Sequence, residues 1–239
     1  MLYLRLSFLL IFPLLCTHRP AQQKPKTDSA YTYKPASRDG KGKMYYGREI
    51  AQVMSFEGAD WLERNNRQEE ENTALAISKL PLKKNSVVAD IGAGTGYYTF
   101  KIVRRVPNGR VYAVEIQDDA IAYLKDRSKK LNQLNVSVVK GSDKSPNLPD
   151  AAVDLAIMVD VYHELYYPHE MLQGIRKALK PNGKLLLLEY RAEDPAVAIK
   201  ELHKMSVTQV NKEMKANGFQ LVQDGEFMPI QHFLVYQKD

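Results

Sequence analysis

A single cysteine, Cys16, in 239 residues excludes an intrachain disulfide and a cysteine-ligated metal cluster. Acidic residues are missing from the start of the chain, the first being Asp28. The opening apolar run, Leu6–Cys16, falls short of the roughly 18 residues a membrane-spanning helix needs, so no stable membrane span is expected once a signal is removed. With Arg5 ahead of it, the run has the length of a signal-peptide core. Residues 1–21 are therefore expected to be an export signal, giving a periplasmic or secreted protein, with lipid anchoring at Cys16 as a variant. The cleavage region lacks small residues, having Leu14, Leu15 and Arg19 instead, and the missing acids suit an organellar transit peptide. A cytoplasmic or organellar location is the alternative.

A strong charge of one sign is also lacking. The formal charge is +6, and losing residues 1–21 would remove Arg5 and Arg19 and no acid, leaving +4. Lysines and arginines alternate with acids along helical stretches, the mark of solvated faces, so no nucleic-acid partner is expected. His163, His169, His203 and His232 show no metal-ligand spacing, and no metal site is expected.

Residues 22–43 are rich in Pro, Lys, Ser, Gln and Gly with almost no aliphatics, which predicts a disordered linker. Residues 44–82 place Trp61, Leu62, Leu75, Ile77 and Leu80 among many charges, predicting a helical cap. Over 83–239 strand and helix patterns alternate: Val87–Asp90, "RVYAVEI", "VSVVKG", "VDLAIMVD" and "KLLLLEY" are strands separated by helical segments. A long helix is expected over Pro195–Asn217, then two strands forming an antiparallel hairpin. Apolar strands alternating with helices imply an α/β fold whose mostly parallel sheet is covered on both faces. The chain contains no internal repeat.

Two nucleotide signatures are absent from "VVADIGAGTGYYTF". The turn Asp90-Ile91-Gly92-Ala93-Gly94-Thr95-Gly96 is spaced G-x-G-x-G rather than G-x-G-x-x-G, and no Gly-Lys-Ser/Thr follows. Glycines there let the backbone pass beneath a ligand, or merely let strand and helix pack closely. Glu115 ends the next strand, where an acid accepts from both ribose hydroxyls of an adenosine. Asp143, past the third strand, can accept from an exocyclic amine. Asp90 would oppose a pyrophosphate but attract an ammonium. An adenosine without phosphate, bearing a cationic amino-acid end, suits all three acids, and S-adenosyl-L-methionine is such a cofactor.

The run "VVADIGAGTGYYTF … VYAVEI … VVKGSD … VDLAIMVDVYHEL … LKPNGKLLLLEY" resembles the class I S-adenosylmethionine-dependent methyltransferases, of the small-molecule type. The resemblance implies a doubly wound, seven-stranded Rossmann-like sheet of order 3-2-1-4-5-7-6 with an antiparallel last strand. It also implies Asp90, Gly92, Gly94, Gly96 and Tyr97 around the methionine end, Glu115 and Ile116 at the ribose, Ser142 and Asp143 at the adenine, and Asp160 facing the methyl group. The Asn/Asp-Pro-Pro-aromatic run of nucleic-acid amino methyltransferases is replaced by "DVYHEL", which argues against a base amine as acceptor.

Methyl transfer from a sulfonium is an in-line displacement in which alignment can supply about 7–11 kcal/mol. A base is needed only for a protonated nucleophile. His163 is the candidate base, or else a residue that orders a loop or a substrate carbonyl; Tyr162 either lines the methyl site or packs on the cofactor. Glu164 reads as a solvent-facing or helix-end charge. The expected activity is methyl transfer to a small-molecule acceptor. The alternatives are a cofactor-binding or scaffolding protein without turnover and an NAD-dependent oxidoreductase, which the glycine spacing and Asp90 disfavour.

Overall fold

The computed structural model describes residues 30–239. Residues 1–29, which carry the expected export signal and the first part of the expected linker, lie outside the described residues. No helix of the described residues is long and apolar enough to cross a membrane.

The main sheet is built from strands β4 (Val87–Ile91), β5 (Arg110–Glu115), β6 (Val136–Lys140), β7 (Val153–Val159), β8 (Leu179–Arg191), β10 (Phe219–Asp224) and β11 (Gln231–Lys238), in the order β6-β5-β4-β7-β8-β11-β10. This is the expected order, and β11 runs antiparallel between β8 and β10. A short β9 (Lys204–Met205) adds to the end of β8 as an eighth strand. Along β8, Leu185 and Leu187 join the core beneath helices α6 (Pro168–Ala178) and α7 (Val207–Ala216), while Leu186 and Leu188 join the opposite core beneath α3 (Thr73–Lys79) and α4 (Thr99–Ile102). The period-two alternation of a strand thus buries a continuous leucine run on two faces. Helix α5 (Asp118–Lys130) closes the edge with Leu124 against Ala113, carrying acids in its first turn and bases in its last, as the helix dipole favours.

The N-terminal region departs from the sequence reading. Residues 30–43 are not linker: β1 (Tyr31–Tyr33), β2 (Gly40–Tyr45) and β3 (Arg48–Ala51) form a three-stranded antiparallel sheet. The cap is accordingly only partly helical, with α1 (Ala59–Leu62), α2 (Arg67–Glu71) and α3 after these strands. The β2–β3 turn has positive φ at both Tyr46 (48°) and Gly47 (96°), the signature of a tight primed hairpin turn.

Polar anchors add to the buried Tyr45, Ile50 and Ala51 of this small sheet. Buried Lys43 donates to the Tyr166 carbonyl at 2.6 Å and lies over the rings of Tyr31, Tyr166 and Tyr167. Arg48 holds Glu213 through two bonds, Nε–Oε1 at 2.8 Å and Nη2–Oε2 at 3.0 Å. The expected helix over 195–217 is likewise broken. A 3-10 turn at Glu201–His203 leads into β9, and Ser206 then caps α7 by accepting from the Gln209 N–H at 3.2 Å.

Candidate active site

The carboxyl ends of β4, β5, β6 and β7 open onto a cavity of about 510 Å³, the position at which a doubly wound sheet binds ligands. Gly92, Gly94, Glu115, Ile116, Ser142, Asp143, Asp160 and His163 all line it, which brings together eight of the residues expected from the sequence. Gly92 and Gly94 have φ of 71° and 54°, and a Cβ would meet Val161 at 2.7 Å or Leu62 at 2.8 Å. Glu115 accepts from the N–H groups of Gly94 at 2.9 Å, Ile116 at 2.7 Å and Gln117 at 3.2 Å, so the ribose-side acid also fixes the glycine turn. Asp160 has a left-handed φ of 54°, a costly conformation for a non-glycine residue, and its carboxylate accepts from Gln231 Nε2 at 2.8 Å. Burial, together with the charges of Glu71 and Glu189, pushes the Asp160 carboxyl well above the usual range.

Four expected residues do not line the cavity. Asp90 is buried behind the turn, accepting from Thr99 Oγ1 at 2.6 Å; desolvation raises its pKa to about 6 against the opposing bond from Thr99. Gly96 is a packing glycine, since a Cβ there would strike Phe100 at 2.5 Å and Leu124 at 2.8 Å. Tyr97 faces the cap helices, its hydroxyl 3.2 Å from Thr73 Oγ1 and its ring beneath Lys101. Tyr162 is fully buried, and its hydroxyl donates to Glu213 at 2.6 Å, which removes it from the methyl site.

The roof of the cavity comes from the segment after β3. Gln117 accepts from the Phe56 N–H at 2.9 Å and donates to the Met54 carbonyl at 3.2 Å, while Glu164 Oε1 accepts from the Met54 N–H at 3.2 Å. Two rim side chains thereby clasp residues 54–56 across the opening. Met54, Phe56, Trp61 and Leu62 present apolar surface inward, and Ile199 does so from the loop after β8. Glu164 is thus turned into the cavity, not to solvent.

His163 is buried beside Glu189, which lies on β8. Its Nδ1 stands 2.6 Å from Glu189 Oε2 and its Nε2 3.1 Å from His203 Nδ1. Burial works to lower the imidazole pKa, but Glu189 and Glu164 outweigh it and push the value up to about 10. The ring therefore keeps its proton at neutral pH, which argues against the general-base reading. Among the described residues, His163, Glu164 and His203 form the group whose ligand atoms converge closely enough to hold a metal ion, although the linear spacing gave no sign of it.

A family model described as a methyltransferase domain matches residues 82–233, more than half of the chain. The chain belongs to the methyltransferase domain family. The methyltransferase is 28% identical over 196 residues to a fibrillarin-like rRNA/tRNA 2′-O-methyltransferase of Methanosarcina mazei, covering 79% of this chain and 82% of the relative. It is 29% identical over 111 residues to a ubiquinone/menaquinone biosynthesis C-methyltransferase of Pasteurella multocida, but there it spans only 41% of the relative and 46% of itself. A SAM-dependent methyltransferase of Aquifex aeolicus superposes with a TM-score of 0.72 at 23% identity, over 77% of this chain and 98% of the other, and establishes the class I fold. One relative is named for RNA and the other for quinones, so similarity leaves the acceptor open.

Proposed function

We propose that this methyltransferase uses S-adenosyl-L-methionine to methylate a small, largely apolar acceptor. The residues present fit the cofactor. Glu115 would accept from a ribose, Asp143 and Ser142 at the mouth would face an adenine, and the Asp160 carboxyl with the backbone of Gly92 and Gly94 would receive the amino-acid end. Bound there, the cofactor supplies a methyl group on a sulfonium. The protein's part is alignment and exclusion of water. Asp90 contributes charge from behind the turn, not contact.

The observation that carries the acceptor class is the roof. Met54, Phe56, Trp61, Leu62 and Ile199 enclose an apolar space over the methyl-facing end, whereas a polynucleotide needs an open groove with cations free for phosphates. Among the described residues, two lysine or arginine residues line the cavity, Arg67 and Lys200. Arg67 is paired with Glu71 at 2.8 Å and Lys200 with Asp39 at 2.8 Å. His163, with Nδ1 against Glu189 and Nε2 against His203, orders the turn after β7 at the acceptor end and is not free to act as a base.

Calorimetry with S-adenosylmethionine, its demethylated product and NAD tests the cofactor; binding of NAD alone would overturn the reading. Labelled methyl transfer into fractionated lysate tests the acceptor, with label expected in the small-molecule fraction. Label confined to RNA would replace the acceptor class, and tight cofactor binding without transfer to any fraction would favour a scaffold. Export belongs to the same proposal, resting on the pattern of residues 1–21. Sequencing the N-terminus of the cell-derived protein checks it, an uncleaved Met1 being the contrary result.

A further inference from the structure

We propose that His163, Glu164 and His203 form a site for one zinc-like divalent ion at the acceptor end of the cavity. The three side chains come from two places, the turn after β7 and the turn before β9, and all three line the cavity. His163 Nε2 and His203 Nδ1 are 3.1 Å apart, His203 Nδ1 and Glu164 Oε1 3.4 Å, and His163 Nε2 and Glu164 Oε1 3.7 Å. Ligands held about 2.1 Å from a tetrahedral ion stand about 3.4 Å from one another, so the observed spacings bracket that geometry. As hydrogen bonds, two of these three gaps are too long to be good ones. They suit a shared ion better than direct bonding.

The donor chemistry points the same way. Two imidazoles and one carboxylate form a set that favours zinc and its neighbours over calcium or magnesium, which prefer oxygen alone. Glu189 accepts at His163 Nδ1, an arrangement that leaves Nε2 for an ion and fixes the ring, as outer carboxylates do at histidine-ligated metals. The Met54 N–H likewise sets Glu164 in place. Buried Glu189 and partly buried Glu164 flank one imidazole and favour positive charge at this point. Three protein ligands leave a fourth position open toward the cavity, as in catalytic and not structural zinc sites. An ion so placed would bind and acidify an acceptor hydroxyl or thiol. Only that last role rests on the methyl-transfer reading.

The test uses the full chain without a histidine tag, stripped with chelator and titrated with Co²⁺. The expected result is one equivalent bound, with the intense visible absorption of four-coordinate cobalt, lost on adding Zn²⁺. His203→Ala and Glu164→Gln should each weaken binding by about tenfold or more, and Glu189→Gln by about 10–100-fold. Circular dichroism identifies any variant that fails to fold, in which case the wild-type spectrum decides. No absorption, an octahedral spectrum, or affinity unchanged in folded His203→Ala and Glu164→Gln would overturn the site and leave an internal ion-pair cluster. S-adenosylmethionine is titrated separately on stripped protein, so failure of the ion site and failure of the cofactor reading give different results.

Discussion

Glu189 holds two things at once: its Oε2 lies 2.6 Å from His163 Nδ1, and its Oε1 accepts from the Tyr162 N–H at 2.8 Å. Strand β8 thereby fixes both the ring and the backbone of the turn that follows β7. Through that turn, β8 sets which atoms of residues 161–164 face the cavity.

Glu115→Ala is expected to weaken S-adenosylmethionine binding by about tenfold or more, because it removes a charged ribose acceptor and the carboxylate that holds the Gly94 N–H. Asp90→Ala should lose less, since its side chain points away from the cavity. Calorimetry on both variants decides, and equal losses would mean that Asp90 reaches the ligand.

Asp90 also predicts a pH dependence. Its folded pKa of about 6 exceeds the ordinary carboxylate value, so the folded state binds the extra proton. Stability from this group is complete below about pH 4 and lost as pH rises through about 6. Asp90→Asn should flatten that slope and stabilise the ligand-free protein at pH 7 by about 1–3 kcal/mol, seen in urea unfolding at several pH values. An unchanged slope would count against the assignment.

Arg48 and Glu213 form a buried pair, so Arg48→Met alone should cost about 3–5 kcal/mol by leaving the carboxylate unpaired. Adding Glu213→Gln should restore much of the loss, because the amide oxygen still accepts from Tyr162. A double variant as unstable as the single one would show that the sheet's loss does not arise from the stranded charge.

Gln117→Ala removes both bonds to residues 54 and 56. The expected outcome is a raised KM for the acceptor with less change in cofactor affinity, measured by steady-state kinetics and calorimetry. An effect on the cofactor alone would relocate the clasp's role.

The main sheet was legible because its signal is local: the run Leu185–Leu188 and the turn after Ile91 declare a buried strand and a glycine turn within a few residues. The N-terminal sheet was not. Its strands bury Lys43 and Glu49, residue types that composition assigns to solvent, and its hairpin turns at Tyr46-Gly47, without the Asn or Asp that marks such turns. What makes those strands viable lies far along the chain, in Tyr166, Tyr167 and Glu213. Glu115 and Asp143 line the cavity, and their position on its rim was legible because they end or follow strands. Asp90 and Tyr162 were misplaced because strand register and turn geometry, not residue type, decide which way a side chain points. His203 was set aside as lacking metal-ligand spacing because a 3-10 turn and a two-residue strand interrupt what reads as helix, and that break carries it to the rim.

The clasp at residues 54–56 divides the cavity wall between two separate parts of the chain. The floor, from the glycine turn to Asp143, is laid down by the carboxyl ends of the parallel strands and the turns after them. The ceiling comes from a stretch upstream of the matched family region. On the proposed reading, substitutions among Met54, Phe56 and Trp61 alter the ceiling of the cavity while the strand-borne floor keeps its own contacts.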